Sequence, residues 1–473
     1  GGALGLMLAS WLVRLLAATP DLLPLPIGDT GPALDPAVLG FTMLLSLITG
    51  VVFGLAPALQ ASRTDVIGAI KQEAMPAGEG RGWLRKSLVA AQVALSIVSL
   101  VGAGWFLRSL GATVEIAPGF ATDTVAIATV NIGREGYDRD RGLTFYDQVI
   151  ERARAIPGAV SAAFAENVPL AGVQINRSMF LETEDTTSRD LRLVPVNYVS
   201  PGYFETTAIP LVAGRDFDRR DSVNAPPVAI INETMAKQFW PDRSPIGQRF
   251  RFFGEDTGTE VIGVARDSKV TGLAEEPAPL IYEPLYQDYR SFGSLIVRFT
   301  QPPTSASASL RKVIADLDSG LSVLDVRTLD QQVEASLTGQ RSLTGLIGIF
   351  GTIALLLAAS GIYGVASFWV GLRTREIGVR MALGARPAGM LALVLRQSMT
   401  VVLAGLLIGL ALTGFIAIFL GSQVSTLLVG VRPTDPGTFV ATVLVLFLVA
   451  LLACAWPARR ASRIDPLIAL RQD

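Results

Sequence analysis

The chain contains six segments of mostly apolar residues, each long enough to cross a lipid bilayer. The hydrocarbon core of a bilayer is about 30 Å thick, and a helix needs ~20 apolar residues to span it. A long polar stretch separates the third segment from the fourth, although half of the 473 residues are hydrophobic. The sequence therefore predicts a membrane region and a large domain in water. The predicted transmembrane helices lie near residues 1–19, 36–59, 87–107, 343–372, 397–424 and 437–458.

Two stretches near the ends of the chain repeat one another. Residues 54–72 read GLAPALQASRTDVIGAIKQ and residues 454–472 read CAWPARRASRIDPLIALRQ, with the Pro, Ser, Arg, Asp and Ala at matching offsets. Repeats in apolar sequence are typical of transporters and indicate a duplicated membrane module. The chain also begins inside an apolar segment without an initiator Met. We therefore expect a C-terminal fragment, with an earlier copy of the module upstream.

Charge differs between the polar middle and the rest of the chain. Residues 112–340 hold 31 acidic and 22 basic residues, whereas the remainder holds 10 acidic and 18 basic residues. The basic residues of the remainder cluster in two loops between predicted spans and at the end of the chain. By the positive-inside tendency these clusters are cytoplasmic, and alternation then places residues 112–340 on the outer side.

The acidic middle combines strand and helix patterns. Asn232 is positioned to cap a helix over Glu233–Phe239, and Gly214 and Gly247 suit tight turns. The fold class predicted for the chain is a membrane α-helical region of six transmembrane helices plus an extracytoplasmic α+β domain of two lobes. Strands are predicted at Thr124–Ile132, Pro227–Ile231, Glu260–Val264 and Leu295–Phe299, and helices at Gly142–Ala155 and Ser305–Asp316.

Several residue types and motifs that commonly carry catalysis are missing. The chain has no histidine, and its one cysteine, Cys454, lies in the last predicted span, which excludes histidine triads and the common zinc sites. It has no phosphate-binding loop and no nucleophile elbow. The pairs Asp218/Asp221 and Glu275/Glu276 are interpreted as solvating charge. We predict no catalytic residue, no cofactor and no metal site, and the acidic middle disfavours nucleic-acid binding.

A short basic segment follows the fourth predicted span. Residues 372–387 read LRTREIGVRMALGARP, in which Glu376 and Arg380 form a favourable i,i+4 pair. The pattern predicts a short amphipathic helix at the membrane surface, with Gly384 ending it and Pro387 beginning the next helix. By composition alone, arginines that anchor to anionic lipid head groups explain this segment equally well.

The segment resembles the R-T-R-E-I-G-x-R-x-A-x-G-A motif of the MacB/FtsX superfamily of ABC transporter permeases. The resemblance implies an ATPase-coupling helix at 373–386 in a bacterial cytoplasmic (inner) membrane protein. It implies three kinds of partner: a separate ABC ATPase subunit, membrane lipid, and a periplasmic adaptor or substrate protein. The matching residues are Arg373, Thr374, Arg375, Glu376, Ile377, Gly378, Arg380, Ala382, Gly384 and Ala385.

The resemblance covers nearly the whole chain and implies its domains. The implied function is a permease that transmits ATP-driven motion to the periplasmic domain for export or efflux, and the duplication resembles the orphan-type permeases of soil bacteria. The alternative is a membrane-anchored sensor or scaffold without ATP-driven transport. An ion-coupled carrier is disfavoured because no Asp, Glu or Lys lies in mid-span. The implied domains are the last two helices of a preceding FtsX-like module (1–72), a cytoplasmic linker (73–83), a transmembrane stalk helix (84–111), a MacB-like periplasmic core domain (112–340) with an inserted lobe at about 170–285, and an FtsX-like module with three transmembrane helices (341–473).

Overall fold

A computed structural model of the chain describes most of residues 79–461 and a few residues between 37 and 51. Within 79–461, the residues not described are 173, 183–191, 304–305, 373–378, 381–382, 384–386 and 426–427. The chain divides into two compact units. We call residues Thr113–Thr338 the central unit, and residues Gly1–Ala112 together with Gly339–Asp473 the helical unit.

The described elements are numbered in chain order. The helices are α1 (Glu79–Val114), α2 (Arg139–Arg154), α3 (Tyr203–Thr207), α4 (Glu233–Phe239), α5 (Ala306–Ala315), α6 (Leu329–Leu372), α7 (Pro387–Phe419), α8 (Gly421–Ser425) and α9 (Pro436–Ala461). The strands are β1 (Val125–Asn131), β2 (Ala159–Ala165), β3 (Ile175–Leu181), β4 (Arg192–Val199), β5 (Leu211–Gly214), β6 (Val228–Asn232), β7 (Arg249–Phe252), β8 (Thr259–Ala265), β9 (Ile281–Pro284), β10 (Phe292–Phe299) and β11 (Val323–Thr328).

Four of the described helices are long and apolar enough to cross a membrane, and they include the last four predicted spans. The four candidate spans are Lys86–Val114, Leu329–Gly371, Ala392–Phe419 and Pro436–Arg460. The predicted span 1–19 lies outside the described residues. Only a few residues of the predicted span 36–59 are described, and those are helical. Helix α1 begins at Glu79, inside the segment that the sequence assigned to a linker.

The helical unit buries one face of each long helix. On α1 the buried residues recur every fourth position, at Val93, Ile97, Val101 and Trp105, as expected for one stripe of an α-helix. Small residues dominate the buried positions of α6. Buried residues that face this core from α6, α7 and α9 include Ala358, Ile362, Ala366, Val402, Leu406, Leu446, Ala450 and Cys454.

The central unit is an α+β fold, as the sequence predicts, and its strands form two lobes. We call the four strands β1, β2, β10 and β11 with helices α2 and α5 the split lobe. Its strands are antiparallel in the order β11-β1-β10-β2. Two β-α-β units, β1-α2-β2 and β10-α5-β11, interleave in this sheet, and the chain between β2 and β10 forms the second lobe.

The second lobe, which we call the barrel lobe, is a small closed barrel. Its pairings run β4-β3-β7-β8-β6-β9, and β9 pairs in parallel with β4 to complete the circuit. Along β4 the side chains of Val194, Val196 and Tyr198 are buried, whereas that of Leu193 is 70% exposed. Over residues 193–196 the exposure alternates with the period of two that a strand produces when one face lines a core, whereas from residue 196 to 199 every side chain is buried.

The split lobe buries both faces of its sheet. On one face, Ala126 and Val130 of β1 share a core with α2 and α5. On the other face, Val125 and Ile127 share a core with α3 and with Leu329 at the start of α6. Strand β1 is therefore almost uniformly apolar, because a strand covered on both sides has no solvent face to keep polar.

Local predictions in the central unit are confirmed. The predicted strands correspond to β1, β6, β8 and β10, and the predicted helices to α2, α4 and α5. The side chain of Asn232 accepts a hydrogen bond from Met235 N at 3.0 Å and so caps α4. Gly214 and Gly247 each have a φ of 80°, the left-handed region that favours glycine.

The interpretation of the carboxylate pairs as solvating charge is wrong for two of the four residues. Asp221 is 4% exposed and accepts two hydrogen bonds from Arg215, at 2.7 and 2.8 Å. Glu275 accepts a hydrogen bond from Thr271 N at 2.9 Å and another from Val270 N. Both carboxylates accept hydrogen bonds that order loops of the barrel lobe. The sequence did not reveal these partners because they depend on how each loop turns.

Candidate functional site

The predicted coupling segment is described at one of its ten site residues. Arg380 is helical and exposed, and Leu383 N donates a hydrogen bond to Val379 O at 3.0 Å, which is the spacing of one α-helical turn. The other nine residues lie outside the described residues: Arg373, Thr374, Arg375, Glu376, Ile377, Gly378, Ala382, Gly384 and Ala385. The leucine at 383 is 83% exposed, so this turn presents an apolar side chain beside a basic one.

Helix α7 begins at Pro387, as the sequence predicts. Proline suits the first position of a helix because its fixed φ matches the helix and its missing N–H would have no intrahelical partner there. Helix α6 ends at Leu372 and α7 begins at Pro387, so the predicted coupling segment lies in the chain between two of the candidate spans.

Helix α1 packs closely against α7 at two glycines. A Cβ atom on Gly405 would lie 2.6 Å from Ala90 O, and one on Gly409 would lie 2.9 Å from Ala94 Cα. No larger residue fits at either position without moving a backbone. The structural role of these glycines is close helix approach, which favours association between helices in lipid.

Helix α1 also contacts α6 through polar and small residues. Ser96 is buried, and its hydroxyl lies 2.9 Å from Ala354 O on α6 and 2.8 Å from Gln92 O within its own helix. A Cβ on Gly351 would lie 3.5 Å from Ala103 Cβ. Sequence reasoning missed Ser96, although a serine inside an apolar span is a signal for an interhelical hydrogen bond.

A polar cluster joins three helices at the end of α1 that leads into the central unit. Arg108 forms an ion pair with Asp435, which caps α9 by accepting a hydrogen bond from Thr438 N at 2.9 Å. The neighbouring Ser109 hydroxyl accepts a hydrogen bond from Gln340 of α6 at 3.2 Å. Asp435 before Pro436 is a helix-start signature that the sequence shows, but the pairing with Arg108 joins residues that are far apart in the chain.

Together these contacts make α1 the central helix of the unit. It touches α7 through the glycines, α6 through Ser96, and α9 through the edge-to-face pair of Trp105 and Phe439, whose ring centroids are 6.2 Å apart. Within the part of the chain that the structure describes, no group of three or more acidic, cysteine or histidine side chains is arranged to hold a metal ion.

Two regions of the chain each match a known protein family. Residues 87–323 match the family described as MacB-like periplasmic core domain, and residues 348–466 match the family described as FtsX-like permease C-terminal. The first match covers half of the chain. The chain therefore belongs to the MacB/FtsX family of ABC transporter permeases, and it is a membrane protein with four candidate spans and a periplasmic domain.

Individual relatives are similar over more than half of the chain. A protein of Rhodospirillum rubrum named macrolide export ATP-binding/permease protein MacB is 30% identical over 285 residues, which cover 58% of this chain and 42% of that protein. A Bacillus subtilis protein named uncharacterized ABC transporter permease YknZ is 28% identical over 287 residues, which cover 59% of this chain and 70% of that protein. The chain thus spans less than half the length of the MacB relative.

Two solved structures match with low scores. The periplasmic region of MacB from Actinobacillus actinomycetemcomitans has a TM-score of 0.32 and 16% identity, over 47% of this chain and 96% of that chain. The extracellular domain of the ABC-type transporter YknZ from Gram-positive bacteria has a TM-score of 0.30 and 17% identity, over 43% of this chain and 98% of that chain.

Proposed function

We propose that the chain is a permease that transmits ATP-driven motion from a separate cytoplasmic ATPase to its periplasmic domain, in a MacB/FtsX-type export or efflux system. The ATPase would dock on the coupling helix 373–386. The observation that carries this proposal is helix α6, which runs without interruption through 44 residues, from the core of the central unit to the residue before the basic segment.

Helix α6 is suited to carrying a displacement over a long distance. At 1.5 Å per residue its 44 residues extend for about 66 Å, twice the thickness of a hydrocarbon core. It contains no proline, the commonest cause of a sharp kink. Its first three turns place Leu329 and Leu337 in the buried core of the central unit, so a movement of the helix acts on packed side chains there.

The proposal extends to topology and domains. The central unit would be extracytoplasmic and the coupling helix cytoplasmic, with residues 84–111 and α6 as two stalks. The barrel lobe would be the inserted lobe of the periplasmic core domain, and residues 1–72 would end a preceding FtsX-like module. The positive-inside charge distribution and the family matches support this arrangement.

The coupling helix is tested by charge reversal in the full chain. Arg380→Glu should weaken co-purification of an ATP-binding subunit from gentle detergent by about tenfold or more, since loss of one well-placed ion pair and its replacement by repulsion is worth about 1.4 kcal/mol. Arg459→Glu is the matched control, because this exposed arginine lies in the last turn of α9, in the other basic region.

A second variant separates docking from helix stability. The swap Glu376→Arg with Arg380→Glu keeps an i,i+4 pair of opposite charges but reverses their order, so it should also lose the subunit. Unchanged recovery of the ATPase with both variants contradicts the assigned coupling role. If no ATP-binding subunit co-purifies even with the wild-type chain, the sensor or scaffold function is favoured instead.

A further inference from the structure

Two chain segments connect the lobes of the central unit, and charged side chains gather where they meet. One connection follows β2 and includes Glu166, and the other precedes β10 and includes Asp288 and Arg290. Side chains from β3, β4, β9 and the loop after β7 complete the group. We call this group the junction cluster: Glu166, Arg177, Tyr198, Glu255, Glu283, Asp288 and Arg290.

Arg177 holds the barrel side of the junction cluster. Its guanidinium lies 3.1 Å from Glu283 Oε2 and 3.3 Å from the Tyr198 hydroxyl, and it forms a second ion pair with Glu255. The same guanidinium stacks over the Phe252 ring at 3.7 Å. Glu283 is 8% exposed, so this carboxyl is almost withdrawn from water.

Arg290 holds the side of the cluster that faces the split lobe. Its guanidinium lies 3.9 Å from the Tyr198 ring centroid and donates a hydrogen bond to Asp288 Oδ2 at 2.7 Å. Its Nε is 3.9 Å from Glu166 Oε1, which is too long for a hydrogen bond. Glu166 is 8% exposed, and its other oxygen, Oε2, is buried without a hydrogen-bond partner among the described residues.

The cluster is short of positive charge. Four carboxyl groups, those of Glu166, Glu255, Glu283 and Asp288, face two guanidiniums. Protonation of two carboxyls would balance the charges, and the two most buried ones are those of Glu166 and Glu283. A buried ionised carboxylate without full compensation is unfavourable, so protons should be taken up at these two positions first.

The pKa values of these two carboxyls agree with the charge count. Burial raises the pKa of Glu166 to about 7, partly offset by Arg290 and reinforced by Asp288. Burial likewise raises the pKa of Glu283 to about 7, with Arg177 opposing and with Asp288 and Glu255 adding to the rise. Tyr146 of α2 and Tyr198 are the other titratable groups that face the pair.

We propose that Glu166 and Glu283 take up protons between neutral and mildly acidic pH, and that this uptake tightens the junction between the barrel lobe and the split lobe. The periplasmic domain would then be stiffer in acid and looser at neutral to alkaline pH. The proposal concerns the central unit alone and does not depend on an ATPase partner.

The direction follows from linkage. The folded state holds these two protons at a pH where the unfolded chain has already lost them. Their stabilising contribution is therefore fully present below the ordinary glutamate pKa near 4.5 and is lost as the pH rises through about 7. A carboxylate whose pKa is lowered by an ion pair would show the opposite dependence.

Hydrogen–deuterium exchange of the full chain in detergent tests the proposal. After correction for the intrinsic exchange rate, amides of the two connections, 166–172 and 285–291, should be protected about tenfold more at about pH 5.5 than at about pH 7.5. In the double variant Glu166→Gln with Glu283→Gln, which carries neutral side chains at every pH, protection should be equal at both pH values. Glu276→Gln, a change at an exposed carboxyl of the barrel lobe, should keep the wild-type response.

Two outcomes would overturn the proposal. One is an unchanged pH response in the double variant, and the other is a wild-type chain whose two connections exchange alike at both pH values. If the double variant does not fold, infrared difference spectra of the wild-type chain between the same pH values test the proposal instead. A protonated-carboxyl band that appears in acid and weakens in each single variant supports the proposal, and its absence from the wild type contradicts it.

Discussion

The helical unit and the central unit are held together by different kinds of contact. In the helical unit, glycines such as Gly405 and Gly409 bring backbones together, and a hydrogen bond from Ser96 joins two helices. In the central unit, the core contains large aromatic side chains, among them Tyr146 stacked on Phe164 with ring centroids 3.9 Å apart, and ion pairs link strands and loops of the lobes.

The difference reflects the solvent of each unit. In water, removal of a large apolar side chain from solvent is the main stabilising contribution, so large residues are favoured inside. In lipid the surroundings are as apolar as the core, and helices associate by close packing, so small residues are favoured at contacts. Substitutions that remove volume should therefore be most damaging in the central unit, and those that add volume most damaging in the helical unit.

The largest expected effect is the loss of an aromatic ring from the central unit. Phe164→Ala should lower the free energy of unfolding of this unit by about 3–5 kcal/mol, because it leaves a cavity beside Tyr146. Hydrogen exchange of the strands measures the change. Phe253→Ala is the control, since that ring is 69% exposed and should be worth little. Equal effects for the two variants would contradict the aromatic-core interpretation.

Added volume in the helical unit should have the next largest effect. Gly405→Leu should destabilise the α1–α7 contact by about 1–3 kcal/mol, because its first side-chain atom already meets a backbone carbonyl. The buried Cys454 reports the change, since its thiol should react with a maleimide dye at a lower temperature. Gly414→Leu should leave the reaction unchanged, because nothing lies within 4 Å of a Cβ at Gly414. A shift of similar size in both variants would show that helix propensity, and not packing, is responsible.

A smaller effect is expected at the helix cap of the barrel lobe. Asn232 is buried, accepts hydrogen bonds from Met235 N and Leu280 N, and donates to Asp267 and to Ala278 O. Asn232→Ala should cost about 1–2 kcal/mol, as read from the thermal unfolding of the central unit. Asn224→Ala changes an exposed asparagine of the same lobe and should be silent. If the melting curves of Asn232→Ala and Asn224→Ala coincide, the cap does not stabilise the central unit.

The smallest expected effect is at the polar contact between α1 and α6. Ser96→Ala should cost about 0.5–1 kcal/mol, since hydrogen bonds between membrane helices are weak on average. Ser360→Ala is the matched control, because the Ser360 hydroxyl bonds only within its own helix in the contacts described. The dye reaction at Cys454 measures both variants. A shift for Ser96→Ala as large as that for Gly405→Leu would mean that polar contacts, and not glycines, dominate the helical unit.

Much of the fold could be predicted from local sequence. Four of the six predicted spans are confirmed as long apolar helices, α7 begins at Pro387, and Asn232 caps α4. Each of these features depends on residues within a few positions of one another. The candidate site is different: Arg380 is helical and exposed, and the coupling helix and the docking of an ATPase on its ten motif residues stay predictions.

Other features could not be predicted because their partners are distant in the chain. Closure of the barrel depends on the pairing of β4 with β9, which aligns Val196 with Ile281. The interhelical bond of Ser96 depends on where α6 passes. No spacing rule connects such pairs.

By itself the sequence determined which segments suit lipid, which suit water, and where several helices begin, because hydropathy and capping act over a few residues. Only the tertiary structure decided which glycines meet a backbone and how the barrel closes. It also decided that Glu166 and Glu283 are buried among too few guanidiniums. The physical reason is that burial and charge balance are set by groups that the chain brings together from far apart.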